Sequence, residues 1–216
     1  MDIATAERRF CTEMNHHADH MTDEALLRKS QEDHESFYVL MKRYEVRLAA
    51  YIRRMTRLSR EDGEDVLQEV YLKVYKHQKG FDSRLKFSSW IYRITHNEVI
   101  SMVRKHRVRS GTVSVDDTTD DAGAMLNLLA DTMDIQETYI TEETRGKIRH
   151  ALFRLPEKYR EVLVLRYFED KSYGEIGDIL KLPQGTVATL LNRAKKKFEN
   201  MALKLRAAES RCGKDG

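Results

Sequence analysis

The chain has 216 residues, 34% of them charged, yet Lys and Arg (38) barely outnumber Asp and Glu (35), leaving a net charge of +3 at neutral pH. With only 2 prolines, this composition predicts a soluble, mainly helical protein of one or two domains. No apolar run approaches bilayer length. A scatter of histidines without a Gly-rich phosphate loop or a nucleophile constellation argues against an enzyme, and two cysteines in opposite tails, Cys11 and Cys212, do not imply a disulfide framework.

Residues 1–34 open with Met-Asp-Ile-Ala-Thr-Ala-Glu, which is acidic and lacks an apolar core, so a signal peptide is not expected and the cytoplasm is. The segment is polar and without sustained periodicity, which predicts a flexible extension. Cys11, His16, His17 and His20 are its metal-ligand candidates, since His16 and His20 would share one helix face. With no second spaced pair beside them, neither a metal nor another cofactor is expected.

From Phe37 onward the spacing tightens. Phe37, Leu40, Met41, Tyr44, Leu48, Tyr51, Ile52 and Met55 recur at three- and four-residue steps and predict a long amphipathic helix. Ser59 is a suitable N-cap for the next one, with Glu61, Asp62, Glu64 and Asp65 at the positive end of its dipole and Val66, Val70 and Val74 facing inward. Asp65, Gln68 and Glu69 then point outward, as dipole complementation or as an acidic docking face. A polar loop from Phe81 leads into a helix expected from Ser88 to about Lys105. Ile91, Ile94, Val99 and Met102 are predicted to line its inner side, while Trp90, Arg93, Asn97, Ser101 and Arg104 form an outer stripe. Flat rings stack on unpaired bases, amides read base edges and guanidiniums hold phosphates, so the stripe suits single-stranded DNA. The competing reading puts Trp90 in the core.

Charge is unevenly distributed beyond this point. Arg104-Lys105-His106-Arg107-Val108-Arg109 is followed by a segment, Ser110 to Thr144, without a single Lys or Arg. This acidic segment predicts an interdomain linker over 110–145 between domains at 35–109 and 146–206, with a tail at 207–216. In the second domain Pro156 is placed to open a helix buried by Val162, Leu163 and Phe168. Ser172 and Glu175 form a capping box for a short helix with Ile176, Ile179 and Leu180 on its apolar face. Pro183 stops that helix, and Gly185 is expected to permit the turn into a second one carrying Val187, Leu190, Leu191, Ala194 and Phe198. Two short helices around a tight turn, the second ending in Lys195-Lys196-Lys197, describe a helix-turn-helix. Its outward positions are Thr186, Ala188, Thr189, Asn192, Arg193 and Lys196. The fold expected is therefore all-α, two small helical domains joined by an acidic flexible linker.

Two separated stretches resemble one family. Asp62 to Tyr75 with Phe87 to Asn97 is similar to region 2 of bacterial sigma factors, and Leu155 to Tyr167 with Ser172 to Leu180 and Gly185 to Val187 is similar to region 4. The short connection between them resembles the extracytoplasmic-function (ECF) subgroup. The resemblance implies a dissociable promoter-specificity subunit of RNA polymerase. It implies that Asp65, Gln68 and Glu69 dock on the core enzyme, that Phe81, Trp90 and Asn97 open and hold the minus-ten element, and that the helix from Gln184 reads the minus-thirty-five duplex. It also implies an anti-sigma partner. Ala188 stands where family members often carry Arg, which shifts the expected readout toward DNA shape and phosphate contacts. The alternative is a helix-turn-helix regulator that binds duplex DNA by itself.

Overall fold

The computed structural model describes residues 21–110 and 149–212, with side chains over 21–105 and 149–198. All its regular structure is helical, and the chain divides into two compact units. The first contains α1 (Asp23–Lys29), nearly all of α2 (His34–Met55), α3 (Arg60–His77) and most of α4 (Phe87–Ser110). The second contains α5, described over 149–154, then α6 (Glu157–Leu163), α7 (Tyr173–Leu180) and α8 (Gln184–Cys212). The linker predicted at 110–145 lies outside the described residues beyond Ser110, as do Cys11, His16, His17 and His20. Among the described residues no acidic, His or Cys cluster could hold a metal ion, and no helix is long and apolar enough to cross a membrane.

The stripe read from α2 is the core of the first unit. Leu40, Leu48, Tyr51 and Ile52 are essentially inaccessible, as are Val66, Val70 and Val74 of α3. Ser59 caps α3 as expected, its hydroxyl accepting from the Asp62 amide at 3.0 Å. Rings set edge to face join the helices: Tyr44 with Phe87 at 5.4 Å and Tyr51 with Tyr92 at 5.4 Å.

Two expectations for this unit need correction. Within the 1–34 extension, residues 21–34 include a helix, α1, which is capped by the Thr22 hydroxyl and buries Leu26 and Leu27. Two apolar residues make no detectable periodicity, and what fixes this helix is tertiary. Arg43 Nη1 donates to Asp23 at 2.8 Å, the Tyr44 hydroxyl donates to the same carboxylate, and the Ser30 hydroxyl donates to Gln78 Oε1 at 2.8 Å. On α4, Ile91 and Val99 are buried but Ile94 and Met102 are only partly so. Tyr92, Thr95 and Glu98 complete the inner face instead. Their polar groups have partners, Thr95 in the Ile91 carbonyl at 2.8 Å and Glu98 in an ion pair with Lys73, so neither is buried unsatisfied.

In the second unit Pro156 stands one position before α6 rather than inside it. The chain then widens over Val164–Phe168, where the Glu169 amide reaches back to the Val164 carbonyl and the Lys171 amide to that of Leu165. Such a bulge inserts a residue and re-aims the chain beyond it. The Ser172–Glu175 capping box forms in both directions. Ile176 and Ile179 of α7 and Val187, Leu191, Ala194 and Phe198 of α8 are buried, with α8 packed on both α6 and α7.

Candidate nucleic-acid interface

The turn between α7 and α8 sets the geometry of the helix-turn-helix. Its left-handed residue is Lys181, at φ 56°, and both its amide and that of Leu182 donate to the Gly177 carbonyl. The Pro183 carbonyl then accepts from the Thr186 and Val187 amides at 2.9 and 3.1 Å, opening α8. Gly185 lies inside the first turn of α8, where an added Cβ would meet nothing within 4 Å, so its expected role in the turn is not filled. The close approach belongs to Gly177, where an added Cβ would stand 2.7 Å from the Leu182 carbonyl oxygen.

With Val187, Leu191, Ala194 and Phe198 held inside, the opposite face of α8 presents Thr186, Thr189, Asn192, Arg193 and Lys196, all exposed, and Ala188, half-buried. Thr189 returns its hydroxyl to the Gly185 carbonyl at 2.8 Å. An exposed face with hydroxyl, amide and guanidinium groups near its N-terminus and three lysines behind is chemically suited to a major groove and its phosphates.

In the first unit Asp65, Gln68 and Glu69 are all exposed on α3. Leu72, 50% exposed, continues that face one turn further on. The sequence carried this signal, because a leucine off the Val66–Val70–Val74 stripe has nothing inside to pack on. On α4, residues 90, 93, 97, 101 and 104 succeed one another at three- and four-residue steps and share a face. Asn97 and Arg104 are exposed; Trp90 and Arg93 are half-buried. Trp90 belongs neither to the core nor to open solvent. Phe81 lies 5.2 Å away, Phe87 lies 5.8 Å away, and the two phenylalanines are 6.1 Å apart. Phe87 is fully buried, so the cluster is anchored from below while part of the indole stays accessible. Beside this face, half-buried His96 turns toward the core, its Nδ1 3.1 Å from the Tyr51 hydroxyl.

Comparison with known proteins accounts for both units. Residues 40–109 match the model of Sigma-70 region 2 and residues 145–198 that of Sigma-70, region 4. The chain is 33% identical over 134 residues to the ECF RNA polymerase sigma factor SigW of Bacillus subtilis, covering 62% of this chain and 72% of that one. Its fold resembles that of CnrH, solved in complex with the cytosolic domain of CnrY (TM-score 0.60, 22% identity, 83% of this chain and 96% of that one). It also resembles the sigma factor RpoE of Bartonella quintana, solved with the anti-sigma factor NepR (TM-score 0.51, 19% identity, 76% and 96%). A stand-alone helix-turn-helix regulator would leave the region 2 match without a purpose. The chain belongs to the sigma-70 family, as an ECF sigma factor that directs core RNA polymerase to specific promoters and initiates transcription.

Proposed function

We propose that the two units divide promoter recognition between melted and intact DNA, and that neither performs chemistry of its own. The first unit docks on core polymerase through Asp65, Gln68 and Glu69 of α3, with Leu72 adding an apolar contact. On α4, Trp90 and Asn97 with Phe81 capture a base unstacked from the minus-ten element, and Arg93 and Arg104 hold the adjoining backbone. Unstacking a base costs a few kcal/mol, and ring contact together with an amide hydrogen bond is of the size needed to offset it. The observation that carries this reading is the Trp90 ring, propped on Phe81 and Phe87 and still partly accessible. The second unit reads the minus-thirty-five duplex through Thr186, Ala188, Thr189, Asn192, Arg193 and Lys196 of α8. A cytoplasmic location belongs to the same proposal, since the promoter DNA and polymerase it would act on are there. RpoE of Bartonella quintana, similar in fold, was solved with an anti-sigma factor, which supports an anti-sigma partner here also.

Run-off transcription with purified core polymerase on genomic fragments tests the reading. The wild-type chain is expected to start RNA at defined sites. Asn97→Ala should lower open-complex formation about fivefold, seen by permanganate reactivity, with closed-complex binding nearly unchanged. Arg193→Ala should weaken recruitment about threefold on every promoter alike and flatten its salt dependence, as loss of one phosphate contact does. Permanganate footprints of Asn97→Ala indistinguishable from wild type would remove Asn97 from the melting face.

A further inference from the structure

The helix that carries Trp90 and Asn97 follows three residues whose side chains offer its first turn no acceptor. Arg84-Leu85-Lys86 precedes Phe87, and neither a leucine nor a cationic side chain can accept from the orphan amides of a helix N-terminus. The missing acceptor comes from far away in sequence. The Phe87 amide donates to Glu24 Oε1 at 2.9 Å, so a carboxylate on α1 sits at the positive end of α4. Its neighbour Asp23 reaches the same place by a second route. It accepts from the Tyr44 hydroxyl, and the Tyr44 ring lies edge-on to Phe87, against which Trp90 rests. Burial, reinforced by the Asp23 carboxylate, pushes the Tyr44 phenol far above its ordinary value, so it remains a donor. The other end of α1 is tied to the turn after α3 through Ser30 and Gln78. A seven-residue helix is thus fastened to the entry of α4, at the base of the Phe81–Phe87–Trp90 cluster.

We propose that Glu24 is a positioning residue for promoter opening: its carboxylate fixes the first turn of α4 and thereby the attitude of the Trp90 ring that meets the unstacked base. Glu24 itself touches no DNA. The proposal rests on the assignment of Trp90 to the melting face, and it adds that α1 sets how well that face works. Core docking, which uses the exposed side of α3, does not depend on it.

Trp90 is the only tryptophan in the chain, so its emission reads the cluster directly. With full-length protein, Glu24→Ala should raise acrylamide quenching of Trp90 about twofold and lower open-complex formation about fivefold, the equilibrium factor of one lost helix cap. Binding to core polymerase should stay at the wild-type value. Glu24→Gln keeps an accepting oxygen and should restore both readouts to within about twofold of wild type. Equal losses of core binding and opening in Glu24→Ala would mean that the unit is merely less stable, and would overturn the proposal. So would wild-type quenching and opening in Glu24→Ala, provided that Trp90→Ala opens poorly. Normal opening by Trp90→Ala would instead overturn the assignment of Trp90 itself, whatever Glu24→Ala does to quenching.

Discussion

Replacing Gly177 with Ala is expected to destabilise the second unit by about 1–2 kcal/mol, against the usual sign of a Gly→Ala change in a helix. In an open helix the added methyl gains close to 1 kcal/mol, because glycine loses more backbone freedom on folding. Here the methyl would meet the Leu182 carbonyl oxygen at 2.7 Å. That oxygen cannot swing aside, since the Leu182 amide is bonded to the Gly177 carbonyl at 2.9 Å and Pro183 comes directly after it. The turn would have to move as a body, and the start of α8 with it, so overpacking outweighs propensity. Gly174 provides the contrast. The one tight contact of an added Cβ there is with the Gln184 side-chain amide at 2.8 Å, the exposed end of a flexible chain, and Gly174→Ala should be neutral or stabilising by up to about 0.5 kcal/mol. Urea unfolding monitored by far-UV circular dichroism measures the change, while Trp90 emission, which belongs to the first unit, should show an unmoved transition. Equal stability of the two variants would show that the turn relaxes freely. Because the same turn aims α8, Gly177→Ala should also weaken duplex binding beyond its stability cost.

What the sequence made legible here was whatever is written locally. The apolar stripes of α2 and α3, the Ser59 cap, the Ser172–Glu175 box and the exposed face of α8 all stem from spacing and side-chain type within one helix. What it concealed is held together over long separations. Asp23 and Glu24 look like ordinary acidic residues at a helix start until Arg43, Tyr44 and the Phe87 amide are brought to them. Thr95 and Glu98 fail a hydrophobicity pattern because their polar groups are satisfied by a backbone carbonyl and by Lys73. Spacing assigns the turn to Gly185, yet the glycine that the packing needs is Gly177, and the reason lies five residues on in a carbonyl position that no local pattern reveals. The same limit applies to Trp90. Its placement on an outer stripe came from the helix period, but its partial burial against Phe81 and Phe87 depends on a loop and a neighbouring turn.

His96 is expected to make the first unit lose up to about 3 kcal/mol of stability as pH falls from 6.5 to 4. Burial penalises the imidazolium and lowers this side chain from its ordinary 6.5 to about 4, and the Tyr51 hydroxyl at 3.1 Å gives the neutral ring a partner. The sign comes from proton counting. Between those two values the unfolded chain binds a proton at His96 that the folded chain does not, so stability is whole above 6.5 and falls by roughly 1.4 kcal/mol per pH unit below it. Asp33, lowered first by its hydrogen bond with Ser36, and Asp82, lowered to about 2 by Arg84, act in a separate window. Their contributions are present above the ordinary 3.8 and are lost only as pH drops below it. The slope between 6.5 and 4 therefore belongs to the histidine. Urea midpoints read by Trp90 emission at stepped pH should trace it, and His96→Gln, which cannot charge, should flatten it whatever its stability at neutral pH. Persistence of the slope in His96→Gln would assign it elsewhere.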